Sequence, residues 1–217
     1  MGIWIDPPGL ERPTEARRET VVALRAYIPW LEREGLLEPL REKLPPATAA
    51  LLARPPLPTA WIDSARMYEI YDALAALRGD ESLSEMALDA TRSSLGKTLR
   101  PILGMYMKLS GATPASLLGQ MPGITSLFIK GVAFHWTAQG ESAGELWIAY
   151  AGPTPVSVFH VWSGMLRFAF DLCQTRGQLA FEVAPDRSAA RYRASWAGAR
   201  AATDAPVSEA TPGSEPG

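Results

Sequence analysis

Between Pro155 and Gln174 the chain is almost continuously apolar, and its polar residues, Ser157, His160, Gly164, Arg167, Asp171 and Gln174, recur every three or four positions. That period places them on one narrow helical stripe and leaves side chains such as Phe159, Trp162, Leu166 and Phe170 around the rest of the circumference. A helix this apolar must be covered from more than one side, which predicts a central helix. On both flanks the period changes to two. Residues 127–138 and 145–151 predict a hairpin turning at 139–143 around Gly140, and residues 178–184 and 189–196 a second one turning through Pro185 to Ser188. Alternation sets the register. Val132 falls opposite Tyr150, Phe134 opposite Ile148 and Trp136 opposite Leu146 on an apolar face, with His135 opposite Trp147 on the other. In the second hairpin Phe181 faces Tyr192 inside and Glu182 faces Arg191 outside. The expected C-terminal half is ββαββ, a four-stranded antiparallel sheet carrying the central apolar helix.

The N-terminal half reads as a helical layer packed on that sheet, giving an α+β fold. Thr14 stands as an N-cap, with Arg17 where a capping box takes Glu or Gln, and Val21, Leu24, Ile28 and Leu31 follow at helical spacing toward Gly35. Pro29 should bend this helix. Short helices are expected over 36–53, broken at Pro45 and Pro46, then a proline-stiffened connector over 54–59. Asp63 or Ser64 caps a helix running to Leu77, which Gly79 stops. Residues 82–109 predict a longer helix kinked at Pro101, and its inner stripe of Leu83, Met86, Ala87, Ala90, Thr91 and Ser94 is mostly small. Such a stripe permits either the close approach of another helix or a space that a ligand fills. Thr113 and Pro114 open a short helical turn that the run from Gly119 to Gly123 breaks. Residues 1–13 read as an extended arm, 14–196 as a single domain, and 197–217, with no periodic apolar position, as a disordered tail.

Composition narrows the classes. Of 217 residues 47% are hydrophobic and 20% charged, enough for a sizeable core, and the net charge of -2 argues against a nucleic-acid binder. The single cysteine, Cys173, precludes an intrachain disulfide and suits a reducing compartment. There is no leader-like start, no myristoylation pattern and no apolar run of spanning length, so a cytoplasmic protein is expected. Gly96, Lys97 and Thr98 resemble the end of a phosphate loop, but Thr91 stands where its first glycine must be and the context is helical throughout. His135, His160 and Cys173 form no metal-ligand or nucleophile spacing, so neither a metal site nor an enzyme is expected.

The order of elements, together with patterns such as Ala190 to Trp196, resembles a myxobacterial family of domains of unknown function. That family is similar to the group containing heme-NO-binding domains, vinyl-reductase-type ligand-binding domains and the core subunits of TRAPP tethering complexes. The resemblance spans residues 14–196. It implies a helical layer on a four-stranded sheet, an apolar pocket between them, and dimerisation. It also implies His135 or His160 as the residues to consider for an iron ligand, although a lone histidine on a half-buried element is more often structural, and no cofactor is expected.

Two function classes follow. The favoured one is a non-enzymatic adaptor with a protein partner or a second copy, because Trp147 and His135 on the outer sheet face, rimmed by Lys130, Arg191 and Arg193, have the make-up of an interface. Trp4 of the arm either joins this surface or folds over it. The alternative is a small-molecule sensor holding an apolar ligand between Ala90, Ser94 and Met105 on the small-faced helix and Trp162 and Leu166 on the central one.

Overall fold

The computed structural model describes residues 4–95, 104 and 113–197, with the side chains of residues 94 and 95 excepted. Met105, the Pro101 kink and the C-terminal tail beyond residue 197 lie outside the described residues, as does the side chain of Ser94.

The C-terminal half follows the alternation residue by residue. Strands β4 (Val132–Ala138) and β5 (Ala143–Tyr150) pair antiparallel with Phe134 opposite Ile148 and His135 opposite Trp147, and Gly140 supplies the positive φ of the turn between them. Strands β6 (Gly177–Val183) and β7 (Ala189–Trp196) pair with Phe181 opposite Tyr192 and Glu182 opposite Arg191. The sheet order is β4-β5-β7-β6, so the helix between the hairpins carries the chain across the sheet. That helix, α8 (Val156–Leu172), is covered on both sides. Toward the sheet, Trp162 donates to the Tyr150 hydroxyl and the Tyr192 hydroxyl donates to the Phe159 carbonyl at 2.7 Å.

The other side of α8 meets the helical layer, α1 (Val21–Arg33), α2 (Leu37–Lys43), α3 (Pro46–Ala53), α4 (Ser64–Arg78) and α5 (Glu81–Ala90). Here the polar stripe is a seam between helices: His160 lies 3.5 Å from Asp80, Arg167 3.1 Å from Glu81, and Asp171 2.6 Å from Arg92. Between these pairs the small stripe of α5 meets Gly164. The small residues thus serve the close approach of two helices, which neither chain segment would allow with larger side chains.

Four local expectations are corrected. No helix starts at Thr14. Residues Arg18–Thr20 form β1, which pairs on one side with β2 (Trp61–Asp63) and on the other with β3 (Ile129–Lys130), and α1 begins only at Val21. The long strand expected over 127–138 is broken at Gly131, whose φ of +69° is needed where the chain passes Ala16; an added Cβ would lie 2.7 Å from the Ala16 carbonyl. The run from Gly119 to Gly123 does not merely terminate α6 (Pro114–Gly119), because Pro122 sits in the first turn of a further helix, α7 (Met121–Thr125), as proline can. Finally, α5 leaves α-helical geometry at Thr91 for a π-helical turn, Thr91–Leu95.

Candidate functional site

Between α1, α6, α7 and α8 lies a partly open apolar chamber of about 80 Å³. Val22 and Ala23 enter it from α1, Leu117, Leu118, Met121, Ile124 and Thr125 from α6 and α7, Phe128 and Ile129 from the chain leading into β3, Met165, Leu166, Phe168, Ala169 and Leu172 from α8, and Thr91 from the π-helical turn. The two polar members are spent. Thr91 Oγ1 donates back to the Ala87 carbonyl at 2.7 Å and Thr125 Oγ1 to the Met121 carbonyl at 2.6 Å. A hydroxyl has one proton to give, so the chamber's described walls offer an occupant no side-chain donor and stabilise it by burial.

Of the described residues expected to line a pocket, Leu166 does so and Ala90 and Trp162 do not. Ala90 and Trp162 are core residues, 0% and 1% exposed. The ring of Trp162 packs edge-on against Phe134 with centroids 5.3 Å apart. The space lies on the side of α8 that faces α6 and α7, whereas the side facing α5 is filled at Gly164.

The outer sheet face has the predicted members in a different state. Trp147 points away from the core, as its register requires, yet it is only 5% exposed because the arm lies across it. Trp4 meets it edge-on at 5.1 Å, and the Arg191 guanidinium covers both rings at 5.9 and 5.3 Å. Gly9 sits over the His135 ring, and Leu10 joins Trp4 against Ala149, Ala184 and Ala189. Arg12 pairs with Asp6 within the arm at 2.8 Å and fastens the arm by donating to Ser188 and Asp186. Arg193 is engaged with Glu145 and Glu182. Lys130 does not rim this cluster through the main sheet. It belongs to the three-stranded sheet, opposite Arg18, and lies over the Trp61 ring at 4.9 Å.

Sequence reasoning missed a buried ion pair. Arg17 and Glu19 flank Arg18 at the start of the three-stranded sheet and are 8% and 1% exposed. Burial alone would lower the Arg17 pKa, but Glu19 and the surrounding tyrosines hold it above the ordinary arginine value. Burial raises that of Glu19 against the pull of Arg17. Nothing in a Thr-Glu-Ala-Arg segment at an expected helix start marks its arginine as buried; the pairing of Arg18 with both Asp63 and Lys130 is what draws it in. Cys173, half-buried at the end of α8, has its thiol pushed up to about 11 by burial, which keeps it protonated and unreactive at neutral pH. Among the described residues no group of three or more His, Cys, Asp or Glu is placed to hold a metal, and no helix is long and apolar enough to cross a membrane.

No family model matches the sequence, and no curated protein does. Solved structures do. The Fe(II) unliganded H-NOX protein from K. algicida superposes with a TM-score of 0.65 at 9% identity, over 82% of this chain and 96% of that one. The H-NOX protein from S. oneidensis in its Fe(II)NO ligation state gives 0.63 at 9% identity, over 82% and 99%. An oxygen-binding H-NOX domain related to soluble guanylate cyclases gives 0.54 at 13% identity, over 80% and 92%. Helical layer, four-stranded antiparallel sheet and central helix are therefore those of the H-NOX fold.

Proposed function

We propose that the protein is a non-catalytic small-molecule sensor that binds a small apolar ligand in the chamber between α1, α6, α7 and α8. The observation that carries this reading is the chamber's chemistry: aliphatic, aromatic and thioether walls, with both threonine hydroxyls turned back onto their own helices. Its size bears on the ligand. A cavity of about 150 Å³ holds benzene or xenon, so 80 Å³ suits a guest of xenon's size, and a larger one asks for a modest repacking of Met121 and Met165. The H-NOX fold supports the reading by analogy, since the solved relatives include nitric oxide and oxygen complexes.

Those relatives' fold implies a heme, and the described residues do not fit one. His135 lies on the outer sheet face beneath Gly9, and His160 faces Asp80 and the Phe181 ring. Neither reaches the chamber. Met121 and Met165 do, but 80 Å³ is far below the roughly 300 Å³ or more of a pocket for even a drug-sized ligand. The ligand in this reading is therefore bound by the protein's own apolar walls.

The adaptor reading takes second place because its surface is occupied: a partner at Trp147 must first displace Trp4. The sensor reading is tested by native mass spectrometry and solvent extraction of the purified full chain. A co-purifying apolar molecule that is lost in Ala169→Leu, which adds three carbons to the chamber wall, supports it. A chain that carries and takes up nothing apolar contradicts it.

A further inference from the structure

A second cleft, on the opposite side of the molecule's chemistry, lies where β1, α4 and the end of β5 meet. Its volume is about 420 Å³, and Arg17, Ser64, Tyr68, Gly131, Tyr150 and Thr154 are among its walls. Two features set it apart from an ordinary surface groove. Its arginine is buried, and that arginine is under-partnered: Nη2 lies 3.4 Å from Glu19 Oε1, while Nε and Nη1 have no hydrogen-bond partner among the described residues. The Ser64 hydroxyl stands beside it, toward the Glu19 carboxylate. The guanidinium is caged by the rings of Tyr68, Tyr150 and Trp162, with centroids 5.5, 5.6 and 5.9 Å away. Ring faces soften the loss of water but accept no full hydrogen bond, and orphaned donors of a buried cation are costly.

Glu19 meets only Nη2 of the guanidinium, so the other two nitrogens keep their donors unspent beside it. A positive charge with spare donors therefore stands in the wall of an aromatic-sided cleft. The acidic residue at the rim, Asp63, is committed to capping α4, where it accepts from the Ala65 backbone N–H at 2.9 Å. We propose that this cleft binds a small organic carboxylate, its carboxyl group partnering Arg17 and Ser64 and its body lying against Tyr68 and Tyr150. A single negative charge is the match, since Arg17 supplies one unit that Glu19 already shares and Asp63 opposes a polyanion. The donors lie below the cleft surface, so binding includes a side-chain shift of the half-buried Tyr68.

The test is calorimetric titration of the full chain with benzoate, with benzamide as its neutral counterpart and inorganic phosphate as the polyanion. Ala65 is exposed in the second position of α4, so Ala65→Glu places a charge at the rim where a helix N-terminus tolerates it. The expected result is saturable benzoate binding, weakened tenfold or more by Ala65→Glu and abolished in Arg17→Met/Glu19→Gln, which removes both charges and keeps the volume; benzamide and phosphate bind at least tenfold more weakly. Circular dichroism confirms each fold. Should the double variant fail to fold, Ala65→Glu decides alone. Absence of benzoate binding, equal binding of benzamide, a preference for phosphate, or indifference to Ala65→Glu would each overturn the proposal.

Discussion

Gly164 of α8 passes so close to Ser84 of α5 that a Cβ built on it would lie 2.1 Å from the Ser84 carbonyl oxygen and 2.9 Å from the Ala87 side chain. The obstacle is backbone, which a rotamer change cannot relieve. Gly164→Ala should therefore destabilise the fold by roughly 3 kcal/mol, the upper end of the usual overpacking cost, despite alanine's better helix propensity. Urea unfolding measures it. A neutral or stabilising result would mean that α5 and α8 are farther apart than described.

Trp4 and Trp147 should be energetically coupled. A double-mutant cycle of Trp4→Ala and Trp147→Ala is expected to return about 0.5 to 1.5 kcal/mol of coupling, the usual worth of an edge-on aromatic pair. In a chain beginning at Thr14 the Trp147→Ala loss should shrink by that amount. Ile148→Ala, one residue along and facing the core at 0% exposure, should cost about 2 to 5 kcal/mol in both backgrounds. Zero coupling in the cycle would detach the arm from the sheet.

The register of both hairpins was legible because each strand alternates over six or more residues and one face is uniformly apolar, so a one-residue slip would bury Glu182 and expose Phe181. The central place of α8 was legible for the same reason, in that its apolar surface exceeds what one contact covers. The three-stranded sheet was not. Its strands are three, three and two residues long, too short to show a period, and the cap-like Thr14 made the helix after β1 look longer than it is. The chamber's position along α6 and α7 was not legible, because small residues alone do not reveal whether a helix or a void faces them. Gly164, read only as part of the polar stripe, was the signal that a helix does.

Arm docking should be sensitive to acid. The hydrogen bond from Arg12 holds Asp6 below the usual carboxylate range, and the Ser188 backbone and hydroxyl do the same for Asp186. Arg12 reaches Asp186 from across the contact between arm and turn and lowers it further, so this pair favours the docked arm above the free carboxylate value, about 3.9, and withdraws that contribution as pH falls through the lowered value. Tryptophan fluorescence of the full chain, compared with Trp4→Phe, should thus be flat from pH 8 to about 4 and change below it. A Trp4-dependent transition near neutrality in the folded protein would contradict the fastening of Arg12 to Asp186.

The most direct test of the apolar chamber is methyl-resolved NMR of the full chain under increasing xenon pressure, because xenon binds dry apolar cavities through burial alone. The account predicts saturable shifts concentrated on Val22, Leu117, Leu118, Ile124, Leu166 and Leu172, and their loss in Ala169→Leu with the rest of the spectrum retained. Shifts that stay linear with pressure, spread over the surface, or persist in Ala169→Leu would contradict it.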